Sequence, residues 1–358
     1  MNQKSQIRVL IVDDSAFMRT ALSRMVGSDP GLWVAGTASS GNEALQRIPE
    51  LNPDVITLDV QMPGLDGLQT LTRIMAEFPR PVIMVSSVTV DDADTTFQAL
   101  GAGAFDYVPK QLSGASLDIL DLREDLIAKI KAAAESRVAA PFQIMPRKPP
   151  QAVESRRAGS FSTPEIVAVG ISTGGPKALQ DILPTFPADL PVPILVVQHM
   201  PVGFTAPFAK RLNDLCAVSI REATHAEVVK PGVVYIAPAG VHLTVERSHT
   251  QTAICLCDKA ERQLHVPSVD VMMQSVASAF HSHAMGVIMT GMGADGAQGM
   301  SAIHREGGLT LGQDERSCAV YGMPRVCAEM GILDRVVPLA EIPGEILQAA
   351  RFRKASVG

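Results

Sequence analysis

The sequence has no stretch approaching ~20 uninterrupted apolar residues, so no membrane-spanning helix is expected. Its opening, MNQKSQIRVLIVDD, puts two aspartates where a secretory leader needs an apolar run, and no such leader is expected either. Cysteine is sparse and oddly numbered: of five, Cys255 and Cys257 form a C-x-C pair and Cys216, Cys318 and Cys327 are scattered. Neither a zinc site nor a disulfide framework has this spacing. The cysteines read as reduced, mostly buried thiols in a cytoplasmic protein. Positive charge is not in excess, with 31 Lys and Arg against 37 Asp and Glu and a net charge of −6. Nor is there a clustered basic face beyond the solvated tail residues Arg351, Arg353 and Lys354, so a nucleic-acid partner is not expected. No internal repeat stands out.

What the chain does contain is 358 residues, 46% hydrophobic and 19% charged, with 28 Gly and 25 Pro, the composition of a soluble globular protein. That length suits two domains rather than one core. Short apolar runs alternate with amphipathic segments at the start, the pattern of a parallel α/β sheet. Strands are expected at IRVLIV (7–12), WVAGTA (33–38), DVITLD (54–59), PVIMVS (81–86) and FDYVP (105–109), with a long helix over 117–136. Five such units suit a flavodoxin-like (βα)5 domain over residues 1–130. The pattern then breaks, and Pro141, Pro146, Pro149 and Pro150 mark an interdomain linker assigned to 131–163.

Alternation resumes with strands expected at EIVAVGI (165–171), PILVVQ (193–198), GVVYIA (232–237), AMGVIMT (284–290) and LTLGQ (309–313). This is a second and larger α/β domain, doubly wound and mostly parallel, over 164–350, followed by a tail at 351–358. The segment 242–258 reads as a hairpin, so the second sheet is expected to be mixed.

Asp13 and Asp14 sit just past the first strand and Asp59 ends the third. In a sheet ordered 2-1-3-4-5 those strand ends flank the point where ligands bind. Three carboxylates gathered there need a cation, and Mg²⁺ suits oxygen ligands. A solvent-facing aspartate beside the metal can attack a phosphoryl group, with Ser86 and Lys110 meeting its oxygens.

In the second domain, strand EIVAVGI runs into Ser172-Thr173-Gly174-Gly175-Pro176, a G-x-S-x-G turn from Gly170 to Gly174 that lifts a serine above the sheet. The plainer reading is a helix N-terminus capped by Ser172 or Thr173. A P-loop does not fit, because Lys177 lies one position too late. His199 follows the strand at PILVVQ and Asp295 follows the strand at AMGVIMT. If the strands are parallel, a serine, a histidine and a carboxylate share one sheet edge, which is what an activated hydroxyl requires. The order Ser, His, Asp differs from that of the α/β-hydrolases. Gly291 to Gly296 also matches G-x-G-x-x-G with Asp314 downstream, but a carboxylate inside a phosphate loop opposes a pyrophosphate.

Residues 7–130 resemble a response-regulator receiver domain, on Asp13-Asp14, Asp59, Ser86 and the Pro109-Lys110 step. Residues 164–350 resemble the catalytic domain of the chemotaxis protein-glutamate methylesterases (the CheB family), on GISTGGP, VVQHMP, IAPAGVHL, HVPSVDVMM and IMTGMGADGAQGM in that order. Ile171 replaces an expected alanine and Ala239 stands where the family often has glycine.

The resemblance implies that Asp59 is the phosphoacceptor, that Asp13 and Asp14 hold Mg²⁺ with it, and that Tyr107 is the aromatic switch residue. It implies Ser172, His199 and Asp295 as the catalytic residues, the Met292 N–H as an oxyanion donor, and no cofactor for ester hydrolysis. The implied substrates are methylated glutamates on cytoplasmic helices of chemoreceptors, with some glutamine deamidation. The implied phosphodonor is a histidine kinase, and the receptors are the only implied link to a membrane. The unphosphorylated receiver is expected to cover the active site. Two other outputs for a receiver, a DNA-binding domain or a catalytically dead scaffold, predict a basic recognition helix or no ester turnover, respectively.

Overall fold

The computed structural model describes residues 6–86, 90–110, 116–135, 162–258 and 265–351. Residues 136–161, most of the assigned linker, and the tail beyond 351 lie outside the described residues. The chain divides into two compact units, within residues 1–145 and 146–358.

The first unit runs β1 (Ile7–Val12), α1 (Ala16–Gly27), β2 (Leu32–Ala38), α2 (Gly41–Leu51), β3 (Val55–Asp59), α3 (Gly67–Glu77), β4 (Val82–Ser86), α4 (Val90–Gly101), β5 (Asp106–Pro109) and α5 (Ser116–Glu135). Its sheet is ordered β2-β1-β3-β4-β5 with every pairing parallel. A parallel sheet carries helices on both faces, so its inner strands must be apolar throughout. That is why Val9-Leu10-Ile11-Val12 and Val82-Ile83-Met84-Val85 are buried without alternation. Each such side chain stabilises by roughly 1.5–3 kcal/mol on burial. Asp66 opens α3 with a capping box to Gln69, and Ser15 caps α1 through the Met18 N–H. Helix α5 continues through Glu135, in line with the helix expected over 117–136, so it overlaps residues 131–135 of the segment assigned to the linker.

The second unit runs β6 (Ile166–Ile171), α6 (Gly175–Ile182), β7 (Ile194–Gln198), α7 (Thr205–Leu215), β8 (Ser219–Glu222), β9 (Val233–Ile236), β10 (His242–Arg247), β11 (Thr252–Cys257), α8 (Val269–Phe280), β12 (Ala284–Ile288), α9 (Ala297–Arg305), β13 (Leu309–Gln313), α10 (Met323–Glu329), β14 (Arg335–Val337) and α11 (Ile342–Arg351). The sheet order is β14-β13-β12-β6-β7-β9-β8. From β6 the chain winds to one side through β7, β8 and β9, then crosses back to β12, β13 and β14. The switch point therefore lies at the carboxyl ends of β6 and β12, where crevices form in open α/β sheets.

The expectation of a mixed sheet is corrected. All six pairings of the seven strands are parallel, and β10 with β11 forms a separate antiparallel pair. The reason is one-sided burial. Leu243, Val245 and Ile254 turn inward to join Met272, Met273 and Val276 of α8 in the core, while Glu246 and Arg247 face solvent. Such a hairpin covers a helix rather than filling a sheet that is buried on both faces. Among the described residues, no helix is long and apolar enough to cross a membrane.

Candidate functional site

Parallel pairing puts the carboxyl ends of β6, β7 and β12 side by side, with Ile171 opposite Gln198 and Gly170 opposite Ile288. The residues that follow these ends are Ser172, His199 and the loop that carries Asp295. Three strands fix the serine turn. The Ser172 N–H donates to the Thr290 carbonyl (3.0 Å), the Gln198 side-chain amide donates to the Ser172 carbonyl (3.0 Å), and the Gly175 N–H closes the turn on that carbonyl (2.8 Å). Gly174 carries the chain into α6 at φ +75°, a left-handed conformation that glycine adopts without steric cost. Pro176 follows as the second residue of α6, where its missing N–H leaves no helical bond unmade.

The structure brings the three expected residues into one row. His199 Nδ1 lies 3.1 Å from Ser172 Oγ, and His199 Nε2 lies 2.8 Å from Asp295 Oδ2. The carboxylate selects the tautomer. Burial would raise the Asp295 pKa, but hydrogen bonds from His199 and from the Asp270 and Val269 N–H groups hold it well below the usual carboxylate range. An ionised Asp295 accepts the proton on Nε2, which leaves the Nδ1 lone pair facing the serine hydroxyl.

Asp295 is held in turn by the N-terminus of α8. Its Oδ1 accepts from Ser268 Oγ (2.9 Å) and the Asp270 N–H (3.0 Å), and its Oδ2 accepts from the Val269 N–H (2.8 Å). Exposed N–H groups and the helix dipole both favour a negative charge there. Behind it, the Ser268 N–H donates to Nδ1 of fully buried His242 (3.2 Å). Burial pushes the His242 pKa down against the pull of Asp295, and because Nδ1 accepts the Ser268 N–H the neutral ring carries its proton on Nε2, which has no partner among the described residues.

The fourth expected element is the Met292 N–H. It has no acceptor among the described residues, and the Met292 side chain is exposed. Gly291, just before it, packs against Ser172, since a Cβ on Gly291 would lie 2.8 Å from Ser172 Cβ and 2.3 Å from Met323 Sδ. The loop is pinned by Thr290, whose hydroxyl donates to the Thr173 carbonyl (3.0 Å) and accepts from the Val320 N–H (3.0 Å). The Thr290 N–H is taken by buried Gln313 (2.9 Å). The dinucleotide reading of Gly291 to Gly296 finds no open helix terminus, because Asp270 already accepts from the Gly299 N–H of α9 (2.7 Å).

Sequence reasoning missed Gln198, Ser268, Thr290, Gln313 and His265, whose ring stacks on His199 with centroids 4.1 Å apart. The one signal available was that His265 and Ser268 open the HVPSVDVMM segment.

In the first unit, Asp13 and Asp59 are buried and Asp14 is exposed, and a carboxylate oxygen of each lies within 4.8 Å of the others. The Lys110 Nζ lies 2.6 Å from Asp59 and 3.0 Å from Asp13. Burial raises the Asp59 pKa to about 6 despite this lysine. The Lys110 N–H donates to the Ser86 carbonyl (2.6 Å), and the Ser86 hydroxyl accepts from Thr96 Oγ1 of α4 (2.8 Å). Tyr107 is buried edge-on to Phe97 of α4, with ring centroids 6.2 Å apart. Three hard oxygen donors facing one point, with a lysine opposite, fit a small divalent cation.

Residues 167–346 match the CheB methylesterase family model and residues 9–119 match the response regulator receiver domain. A "Protein-glutamate methylesterase/protein-glutamine glutaminase 1" from Oleidesulfovibrio alaskensis is 42% identical, over 96% of this chain and 99% of that one. A second protein of that description, from Nitratidesulfovibrio vulgaris, is 44% identical over 95% of this chain and 98% of its own. Among solved structures, the Thermotoga maritima CheB methylesterase catalytic domain is similar at 38% identity and a TM-score of 0.51, covering 52% of this chain and 99% of that one.

Proposed function

The chain belongs to the CheB methylesterase family, with a receiver domain ahead of the esterase domain, and from that premise we propose that Ser172, His199 and Asp295 hydrolyse glutamyl methyl esters on the cytoplasmic helices of chemoreceptors, under the control of phosphate on Asp59. The observation that carries this reading is the unbroken row from Ser172 Oγ through His199 to Asp295, with contacts of 3.1 and 2.8 Å.

In the first step, Ser172 Oγ forms a bond to the γ-carbonyl carbon and its proton passes to His199 Nδ1. Asp295, kept ionised by its donors, stabilises the imidazolium that results. The Met292 N–H faces the negative oxygen, a contribution typically worth about 10²–10³-fold in kcat. The tetrahedral centre collapses with cleavage of the C–OCH₃ bond, and methanol leaves with the proton from Nδ1. Water then attacks the glutamyl-enzyme, giving its proton to Nδ1, and the free glutamate carboxylate departs as Ser172 is reprotonated. For glutamine the same steps release ammonia. No cofactor is needed for either.

On the receiver, Asp13, Asp14 and Asp59 would hold Mg²⁺, which supplies positive charge against the phosphoryl oxygens. Asp59 is the acceptor, Lys110 and Ser86 meet the phosphoryl oxygens, and Tyr107 beside α4 follows the switch. The donor is a histidine kinase, and the output is chemotactic adaptation in the cytoplasm.

The experiment is methanol release from methylated receptor membranes, with and without a small phosphodonor, using Ser172→Ala as control. Release that rises with the phosphodonor and vanishes in the control is expected. Release equal in wild type and control would overturn the reading.

A further inference from the structure

We propose that His265 is a positioning residue for the His199 imidazole, and that the segment it opens holds both partners of Ser172. The inference rests on the Ser172–His199–Asp295 reading above.

The two hydrogen bonds of His199, at 3.1 and 2.8 Å, both lie along the ring's edge. Bonds at the two nitrogens resist sliding within the ring plane. They resist tilting about the line joining those nitrogens much less. A contact on the ring face opposes that tilt, and His265 supplies one. The two imidazoles stack with centroids 4.1 Å apart and planes 19° from parallel. A separation of 4.1 Å puts the two ring faces in direct contact, a little inside the roughly 4.5–7 Å over which offset aromatic pairs are favoured.

A stacking ring restrains its neighbour only if it is itself held, and the chain after His265 is tied down at each step. The Val266 carbonyl accepts from the Gly240 N–H (3.1 Å). The Ser268 N–H reaches buried His242 (3.2 Å). Ser268 Oγ, the Val269 N–H and the Asp270 N–H then converge on Asp295 at 2.9, 2.8 and 3.0 Å. One short stretch thus presents a ring to the face of the base and three donors to its carboxylate. His265 itself is exposed, so its packing contributes little to the core.

The test compares full-length wild type, His265→Ala and His265→Phe by two readouts. One is steady-state methanol release. The other is the rate at which a fluorophosphonate labels Ser172, a reaction in which Oγ bonds to phosphorus, fluoride leaves and the hydroxyl proton passes to His199. The labelling depends on the base but not on the identity of the ester. Loss of the stack in His265→Ala is expected to lower kcat and the labelling rate by roughly three- to tenfold, with KM and melting temperature unchanged. Phenylalanine keeps a flat ring without the imidazole nitrogens and should restore both rates to within about twofold of wild type. His265→Ala at wild-type rates would overturn the inference, as would His265→Phe no faster than His265→Ala, which would make an imidazole nitrogen the active feature. If wild type itself fails to label at Ser172, the underlying triad reading fails first and this inference goes with it.

Discussion

Two aspartates in this chain, buried Asp59 and part-buried Asp295, are pushed in opposite directions, and the contrast follows from what each one touches. Asp295 has four donors, two on each oxygen, so its native pKa falls below the ordinary range despite burial. Its stabilisation is therefore present above the ordinary carboxylate range and is lost as pH falls toward its lower native value. Asp295→Asn keeps the shape but turns an amide N–H toward groups that already donate. Turnover should drop on the order of 10³–10⁴-fold through loss of the Nε2–H tautomer. A buried donor left without an acceptor should also cost about 1–3 kcal/mol, read as a lower melting temperature.

Asp59 carries the opposite sign. Burial lifts it from 3.8 to about 6, so in the metal-free chain its contribution is present below the unfolded value and is lost as pH rises through about 6. A divalent cation favours the charged form, so Mg²⁺ should raise the receiver's melting temperature at neutral pH. A melting curve indifferent to Mg²⁺ there would count against the metal site. Asp59→Asn should abolish phosphate uptake from a small phosphodonor while leaving the fold intact, and undiminished labelling would sink the assignment.

At the scale of elements, the serine depends on a turn that tolerates almost no side chain. Gly174 stands at φ +75°, and a Cβ there would come 2.4 Å from that of Ala319. Gly174→Ala should lower stability by about 1–3 kcal/mol and reduce turnover, because either the backbone or the 319 loop must move. Wild-type melting and turnover would show that the turn is not under this constraint. The glycine was legible in the sequence as part of G-x-S-x-G, and so were the strand ends carrying Ser172, His199 and Asp295. Those strands are buried on both faces and read as unbroken apolar runs.

Other elements were harder to read. Strands β8 and β14 escaped notice because they are short edge strands: Ser219, Arg221, Arg335 and Val336 are all exposed, which leaves no apolar run. The hairpin was recognisable, but its separation from the main sheet depends on what its inward face meets, which is α8. Ser268, Thr290 and Gln313 could not be read as supports at all. Each acts through a partner at least 23 residues away, so neither spacing nor periodicity records it.

At the scale of the molecule, each unit has its own core and its own candidate site, so if the receiver acts by covering the esterase, its control is a difference in free energy between covered and open arrangements. If phosphate on Asp59 shifts the equilibrium from 1:99 to 99:1 open, it must favour the open form by about 5.5 kcal/mol, whereas a tenfold activation needs only about 1.4. The two cases are separable with a fragment beginning near Thr163, which has no receiver to cover it. Its methanol release should exceed that of the unphosphorylated full chain and match that of the phosphorylated one. The ratio of fragment to resting chain then measures the covered fraction directly. A fragment faster than the phosphorylated chain would mean that phosphate opens the site only partly. A fragment no faster than the resting chain would rule out covering, and would leave phosphorylation to act on receptor docking rather than on access to Ser172.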